Sequence, residues 1–268
     1  MTDNPFKAGL AARRRLPGFW LSLCSPTVTE IAAHSGADWV LLDMEHAPND
    51  LSMMPDQLRA ARGGGAEPVV RPPFSEQVVT KRLLDIGVRS LMFPMIQNAD
   101  MAAEAVSWTR YPPHGVRGHS GTIRANNYGR QTDYLQTYAR DLCVIVQVET
   151  PEAIANIPAI AAVEGVDAIF IGPGDLASSM GQVGNVADPD VQAEIRRATD
   201  AVHAAGKAVG ILGYGEDATR RYHAAGIEFV AIAGDAWLLV RSMGQMLRTA
   251  REDDQNPTGD GPAKGDKA

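Results

Sequence analysis

The chain has 268 residues, 45% hydrophobic and 21% charged, with a formal net charge of −7; it fits one large globular domain or two small ones and offers no basic surface for nucleic acid. No apolar run reaches membrane-spanning length, and the N-terminus "MTDNPFKAGLAARRRLPG" lacks the apolar core of a secretory signal. Two cysteines, Cys24 and Cys143, are too few for a disulfide framework, so a cytoplasmic setting with reduced thiols is expected.

In chain order, apolar runs predict strands at 18–23, 39–44, 68–71, 90–95, 143–148, 168–171, 208–212 and 229–233, each followed by a helical segment. Four of them repeat one form, "GADWVLLD", "GVRSLMFP", "GVDAIFIG" and "GIEFVAIA", in which a glycine closes the preceding helix. Strands that alternate with helices build a parallel sheet. Eight such units in a single domain, residues 1–251, have the count and size of a (β/α)8 TIM barrel. The competing doubly wound open sheet would show fewer strands and a glycine-rich phosphate loop after the first strand, which "FWLSLCSPT" lacks. Residues 252–268, polar and rich in Gly, Asp and Lys, read as a disordered tail.

In a barrel the C-terminal strand ends converge on one face, where chemistry is done. The second strand runs from "WVLL" straight into Asp43, Glu45 and His46 before Pro48 breaks the chain. The third ends in Arg71, the fifth in "QVET" with Gln147 and Glu149, and the sixth in "IGPGD" with Asp175. Gln147 and Glu149 are two apart and so share a strand face. Glu149 and Asp175, on adjacent strands, fit either an acid/base pair or a site for a hard divalent cation. A structural Glu149–Arg71 salt bridge is the alternative. The lysines Lys7, Lys81, Lys207, Lys264 and Lys267 all miss the strand ends, so a carbonyl substrate would need a metal rather than an imine.

The motifs "FKAGL", "GFWLSL", "GADWVLLDMEHAPND", "PVVRP", "KRLLDIGVRSLMFPMIQNADMAAEAV", "RYPPHGVRG", "VIVQVET" and "VEGVDAIFIGPGDLASSMG" span most of the chain. In them the chain resembles the metal-dependent (class II) pyruvate aldolases of the HpcH/HpaI family. The resemblance implies a (β/α)8 barrel and reversible aldol cleavage of 4-hydroxy-2-oxo acids to pyruvate and an aldehyde. It implies a homo-oligomer, a hexamer built as a trimer of dimers that exchange a C-terminal helix. It makes His46 the general base, acting through a metal-bound water, with Asp43 orienting it, and Arg71 the stabiliser of the pyruvate enolate. Glu149 and Asp175 would hold the metal (Mg2+ or Mn2+ first, Co2+ or Zn2+ as alternatives), and Gln147 would contact substrate. The backbone of Gly174 and Asp175 would bind the pyruvate carboxylate. Asp85 would raise the basicity of the histidine from a neighbouring subunit; its place in the last turn of a helix, against the dipole, independently calls for a compensating partner.

Other readings stand beside these. An acyl-CoA lyase of the malyl- or citramalyl-CoA type would need an extended nucleotide-binding surface that this short chain lacks. A non-catalytic oxo-acid-binding barrel would be expected to lose His46. Glu45 has no assigned role beyond a contact to metal-bound water. His119 and Arg124, in the irregular segment after the fourth strand, would bind the aldehyde half or cap the barrel. Trp20 borders the site or packs the core, and Cys24 is a packed thiol. His34, His203 and His223 fall on helices, on faces expected to be solvated.

Overall fold

The protein is described here from a computed structural model covering residues 4–255; of the tail expected over 252–268, residues 252–255 continue the last helix and the rest lies outside the described residues. Eight parallel strands close into a barrel in chain order: β1 Leu16–Leu21, β2 Trp39–Asp43, β3 Glu67–Arg71, β4 Ser90–Phe93, β5 Cys143–Val148, β6 Ala168–Ile171, β7 Ala208–Leu212 and β8 Phe229–Gly234. The helices are α1 Pro5–Ala11, α2 Pro26–Ala33, α3 Met54–Ala61, α4 Gln77–Asp85, α5 Ala99–Thr109, α6 Tyr134–Asp141, α7 Pro151–Ala155, α8 Ile157–Ala161, α9 Pro173–Ser179, α10 Pro189–Ala204, α11 Glu216–Ala224 and α12 Asp235–Gln255. Among the described residues no helix is long and apolar enough to cross a membrane.

Local chemistry places the helix ends. Asn4, Ser25 and Thr150 each accept a backbone N–H of the first turn from their side chains, with proline next in line to open the helix. Gly36, Gly87, Gly165 and Gly226, the four predicted stops, all adopt positive φ. The first strand differs from expectation: it starts at Leu16 and ends at Leu21. The N–H groups of Ser22 and Leu23 go to the carboxylate of Asp235 rather than to a neighbouring strand. Likewise β4 stops at Phe93, because Met95 turns to positive φ. Residues through Asp235 form one compact unit, and Ala236 onward, the body of α12, a second.

Successive strand residues face alternately out and in. The outward set, including Val40, Leu42, Val146, Ile169, Val209 and Val230, is buried against the helices. The inward set is a separate cluster: Leu16, Trp20, Trp39, Leu41, Val69, Met92, Ile145, Ala168, Phe170, Ala208, Phe229 and Ala231, joined by Phe6 and Leu10 of α1. Phe6 lies 5.7 Å from both the Trp39 and the Phe229 rings, so α1 packs on the interior aromatics. Such large rings fit only because small residues face them. A Cβ on Gly18 would stand 2.3 Å from the Trp39 ring, and one on Gly210 would stand 2.3 Å from Phe229. Gly210→Ala is therefore expected to overpack the barrel and lower stability by about 1–3 kcal/mol, read as a lower urea midpoint at unchanged slope.

Candidate active site

The same inward faces turn polar at the last layer, two residues beyond the apolar cluster. Asp43 follows Leu41 on β2, Arg71 follows Val69 on β3, Gln147 follows Ile145 on β5, and Gly172 follows Phe170 after β6. Trp20, Ser22, Asp43, His46, Arg71, Gln147, Phe170, Gly172, Pro173, Gly174, Asp175, Leu212 and Tyr214 line a cavity of about 280 Å3 there. It gathers Asp43, His46, Arg71, Gln147, Gly174 and Asp175 of the predicted set. Glu149 lies beside it, linked to Gln147.

One wall is built around a buried guanidinium. Asp43 and Arg71 are register partners on adjacent strands. Arg71 donates from Nε to Asp43 Oδ1 at 2.9 Å and from Nη2 to Oδ2 at 2.8 Å, in the planar fork that suits a carboxylate. Its Nη1 lies 2.6 Å from Glu45 Oε2, and the Trp20 ring lies beneath it, with Cζ 4.6 Å from the centroid. Trp20 also donates to Asp43 Oδ2 at 3.2 Å. Burial pushes the Asp43 carboxyl up, but the hydrogen bonds and charge of Arg71 outweigh it and hold the group below the usual carboxylate range. Asp43, expected to orient His46, is thus the carboxylate of Arg71 and makes no hydrogen bond to the histidine. The acid nearest His46 is Glu45, 4.0 Å from Nε2. The alternative Glu149–Arg71 salt bridge does not form, because Arg71 is already neutralised on its own side.

Beyond β5, beside the cavity, lies Glu149, 1% exposed. Its Oε1 accepts the Met95 N–H at 2.8 Å, presented by that residue's positive-φ backbone, and its Oε2 accepts Gln147 Nε2 at 2.5 Å. Gly172 is required here, since a Cβ would stand 2.3 Å from Glu149 Oε2. Asp175, expected at a strand end, is carried by the first turn of α9 and is exposed. Burial pushes the Glu149 carboxyl up to about 7, with hydrogen bonds from Gln147 and Met95 opposing and the charges of Asp175 and Glu45 adding. Gln147 Oε1 is buried without a donor. Two carboxylates and an amide oxygen short of positive charge suit a hard divalent cation with positions left for substrate. Among the described residues no group of three or more His, Cys, Asp or Glu could hold a metal ion.

Several expected residues lie elsewhere. Asp85, in the last turn of α4, pairs with Arg117 Nη2 at 2.9 Å, and Arg117 is buried against Tyr111 with its Cζ 4.6 Å from the ring centroid. His119 packs edge-on against Tyr111, and Arg124 donates to the Ile86 carbonyl at 2.5 Å and lines a separate cavity with Arg62 and Arg89. Neither reaches the cavity of His46 in this chain. Lys207 donates to the Val166 carbonyl and Lys7 to that of Leu142, before β6 and β5 respectively, and among the described residues no lysine lines the cavity. His203 and His223 are half-buried rather than solvated, the former 3.4 Å from Glu228. Three contributors had no clear sequence signal: the Met95 N–H, the Trp20–Arg71 stack and Tyr214.

A carboxyl that keeps its proton to about pH 7 in the fold, against 4.5 as its ordinary value, favours folding below pH 4.5. That contribution, on the order of 3 kcal/mol, is lost as pH rises through 7. In metal-free protein, melting temperature should fall between pH 5 and pH 8, and Glu149→Gln should flatten that slope. Mg2+ or Mn2+ needs the carboxylate, so its affinity should rise over the same range, as titration calorimetry can measure.

A sequence profile of the HpcH/HpaI aldolase/citrate lyase family matches residues 16–242. The chain is 47% identical over 241 residues to a 4-hydroxy-2-oxo-heptane-1,7-dioate aldolase of Escherichia coli, covering 90% of this chain and 92% of that one. It is 44% identical over 263 residues to a hydroxypyruvate/pyruvate aldolase of Cupriavidus necator, covering 97% and 98%. The crystal structure of an HpcH/HpaI aldolase/citrate lyase family protein from Burkholderia cenocepacia superposes with a TM-score of 0.90 at 43% identity, covering 92% of this chain and 99% of that one.

Proposed function

Because the chain belongs to the HpcH/HpaI aldolase/citrate lyase family, we propose that it is a carbon–carbon lyase that reversibly cleaves 4-hydroxy-2-oxo acids to pyruvate and an aldehyde, with a divalent metal at Glu149 and Asp175. The observation that carries this reading is that one barrel mouth holds both a neutralised, fixed guanidinium and a buried carboxylate that lacks a counter-charge. A metal held there supplies Lewis-acid activation of the oxo acid. The names of the two aldolase relatives differ in the whole substrate, while both fit a pyruvate-type oxo acid as one half.

Each residue then has a task. In the cleavage direction His46 takes the proton of the C4 hydroxyl, the C3–C4 bond breaks, and its electron pair passes toward the C2 oxygen. A guanidinium has five N–H donors, and Asp43 and Glu45 leave Arg71 one on each terminal nitrogen for that oxygen. The free N–H groups of Gly174 and Asp175, in the first turn of α9, take the substrate carboxylate, aided by the helix dipole. Gln147 holds the oxo-acid half, and Leu212 and Tyr214 bound the cavity beside it. Among the described residues no lysine lines the cavity to act as an imine nucleophile.

The same reading makes the protein a cytoplasmic homo-oligomer, a hexamer of helix-exchanging dimers. In support, α12 exposes Leu239, Val240, Met243, Met246 and Leu247. Asp85 closes α4 at the end where β4 begins, opposite to His46, so it would serve the histidine of another subunit.

Exhaustive chelation should abolish cleavage, Mg2+ or Mn2+ should restore it, and borohydride with pyruvate should leave no lysine adduct. Arg71→Ala should lower kcat and pyruvate C3 proton exchange by roughly 10²–10³-fold, the worth of one oxyanion donor. If turnover of the folded fraction stayed near normal and only the melting temperature fell, Arg71 would be merely structural.

A further inference from the structure

A second cavity, of about 640 Å3, lies at the other end of the barrel from His46, where β3, β4 and β5 begin. Its volume is that of a small-molecule site. Glu67, which opens β3, is complete there: its carboxylate accepts Arg89 Nε and Nη2 and the Ser90 hydroxyl. Asp141 on the same cavity is not. It is the last residue of α6, 4% exposed, and neither of its carboxylate oxygens accepts a hydrogen bond. Arg140 Nε stands 3.7 Å from Oδ1, beyond donating distance, on a side chain that is 64% exposed. Asn4 Nδ2 holds the Asp141 carbonyl at 3.1 Å, so the acid is presented by fixed backbone. Its burial, its missing donors and its place at the negative end of a helix dipole all act against a carboxylate. Arg62 and Arg124, also on this cavity, lack an acid in turn. Arg124 gives Nη1 to the Ile86 carbonyl at 2.5 Å, and among the described residues neither guanidinium pairs with a carboxylate. Burial, and then the like charges of Arg62 and Arg59, push the Arg124 guanidinium below its ordinary range. Arg59 itself is paired with Asp56.

We propose that this cavity binds a small zwitterion of the amino-acid class, with its ammonium on Asp141 and its carboxylate on Arg62 and Arg124. An ammonium brings three N–H donors to the two empty carboxylate oxygens, and a carboxylate fits the fork of a guanidinium. Tyr134 and Tyr138 line the space between with ring surface, since their hydroxyls are engaged elsewhere. The Tyr134 hydroxyl accepts Arg117 Nη2 at 3.3 Å, and the Tyr138 hydroxyl accepts the Tyr111 N–H at 2.9 Å. That surface suits the methylenes of the ligand. A plain anion would leave Asp141 unanswered, and a plain amine would leave both guanidiniums unanswered. The two cavities share no lining residue, so this site is separate from the mouth and does not depend on the reaction proposed there.

The test is titration calorimetry on the full chain with glycine, 4-aminobutanoate and 6-aminohexanoate, beside hexanoate and 1-aminohexane, which carry one charge each. At least one of the three zwitterions should bind once per subunit, tighter by about tenfold or more than either singly charged probe. Asp141→Asn, which keeps the volume of the side chain, should weaken that binding by about tenfold or more. Arg62→Ala should do the same, and it removes an exposed side chain that the fold does not need. In methyl NMR the bound zwitterion should shift Val88 and Leu142, on this cavity, and leave Leu212, at the mouth, in place. The proposal is overturned if none of the three binds, or if hexanoate or 1-aminohexane matches the best of them, since the site would then read one charge only. It is overturned equally if either substitution leaves the affinity unchanged, because water alone would then serve Asp141 or solvent alone Arg62. Shifts at Leu212 without shifts at Val88 and Leu142 would place the zwitterion at the mouth and end the proposal as well.

Discussion

A guanidinium that is 4% exposed inside an apolar barrel has to be neutralised where it stands, and Arg71 sets the rest of the mouth through that demand. Its charge calls for the bidentate Asp43 and for Glu45, and its flat face calls for Trp20. Removing one partner of such a pair costs about 3–5 kcal/mol, so the wall is rigid. Rigidity is what an oxyanion donor needs, because donors already aimed require no reorganisation during reaction.

The surroundings of Glu149 work by the opposite principle. Glu149 is buried with hydrogen bonds but no cation among its partners, and like charges on Asp175 and Glu45 leave it short of compensation. A site that is electrostatically complete on one side and incomplete on the other has a direction. Positive charge is fixed at Arg71 and lacking at Glu149, and in the proposed reaction the oxo acid would lie between the two. The cavity of about 280 Å3 suits the small oxo-acid half, while His46 stands at its exposed rim.

Both walls follow from the period of the strand. The inward positions that place Trp39, Leu41, Phe170 and Phe229 in the interior place Asp43, Arg71 and Gln147 one step further along. Glycines permit it at both levels. Gly18 and Gly210 make room for rings in the core, and Gly172 makes room for the Glu149 carboxylate at the mouth. Core packing and site geometry are one arrangement read at different heights.

By itself the sequence determined the alternation of eight strands and helices, the four helix-closing glycines, and the strand ends at which Asp43, His46, Arg71, Gln147 and Glu149 emerge. These are local matters of periodicity and backbone freedom, and the family resemblance follows the same residues. It could not determine how the charges pair. Asp43 and Glu45 are two residues apart and chemically alike. Only the register of β2 against β3 gives Arg71 to Asp43 and leaves Glu45 between the guanidinium and the imidazole. The Met95 N–H on Glu149, and the separation of His119 and Arg124 from the cavity, are likewise products of closure. They join residues far apart in the chain, and no local propensity encodes them.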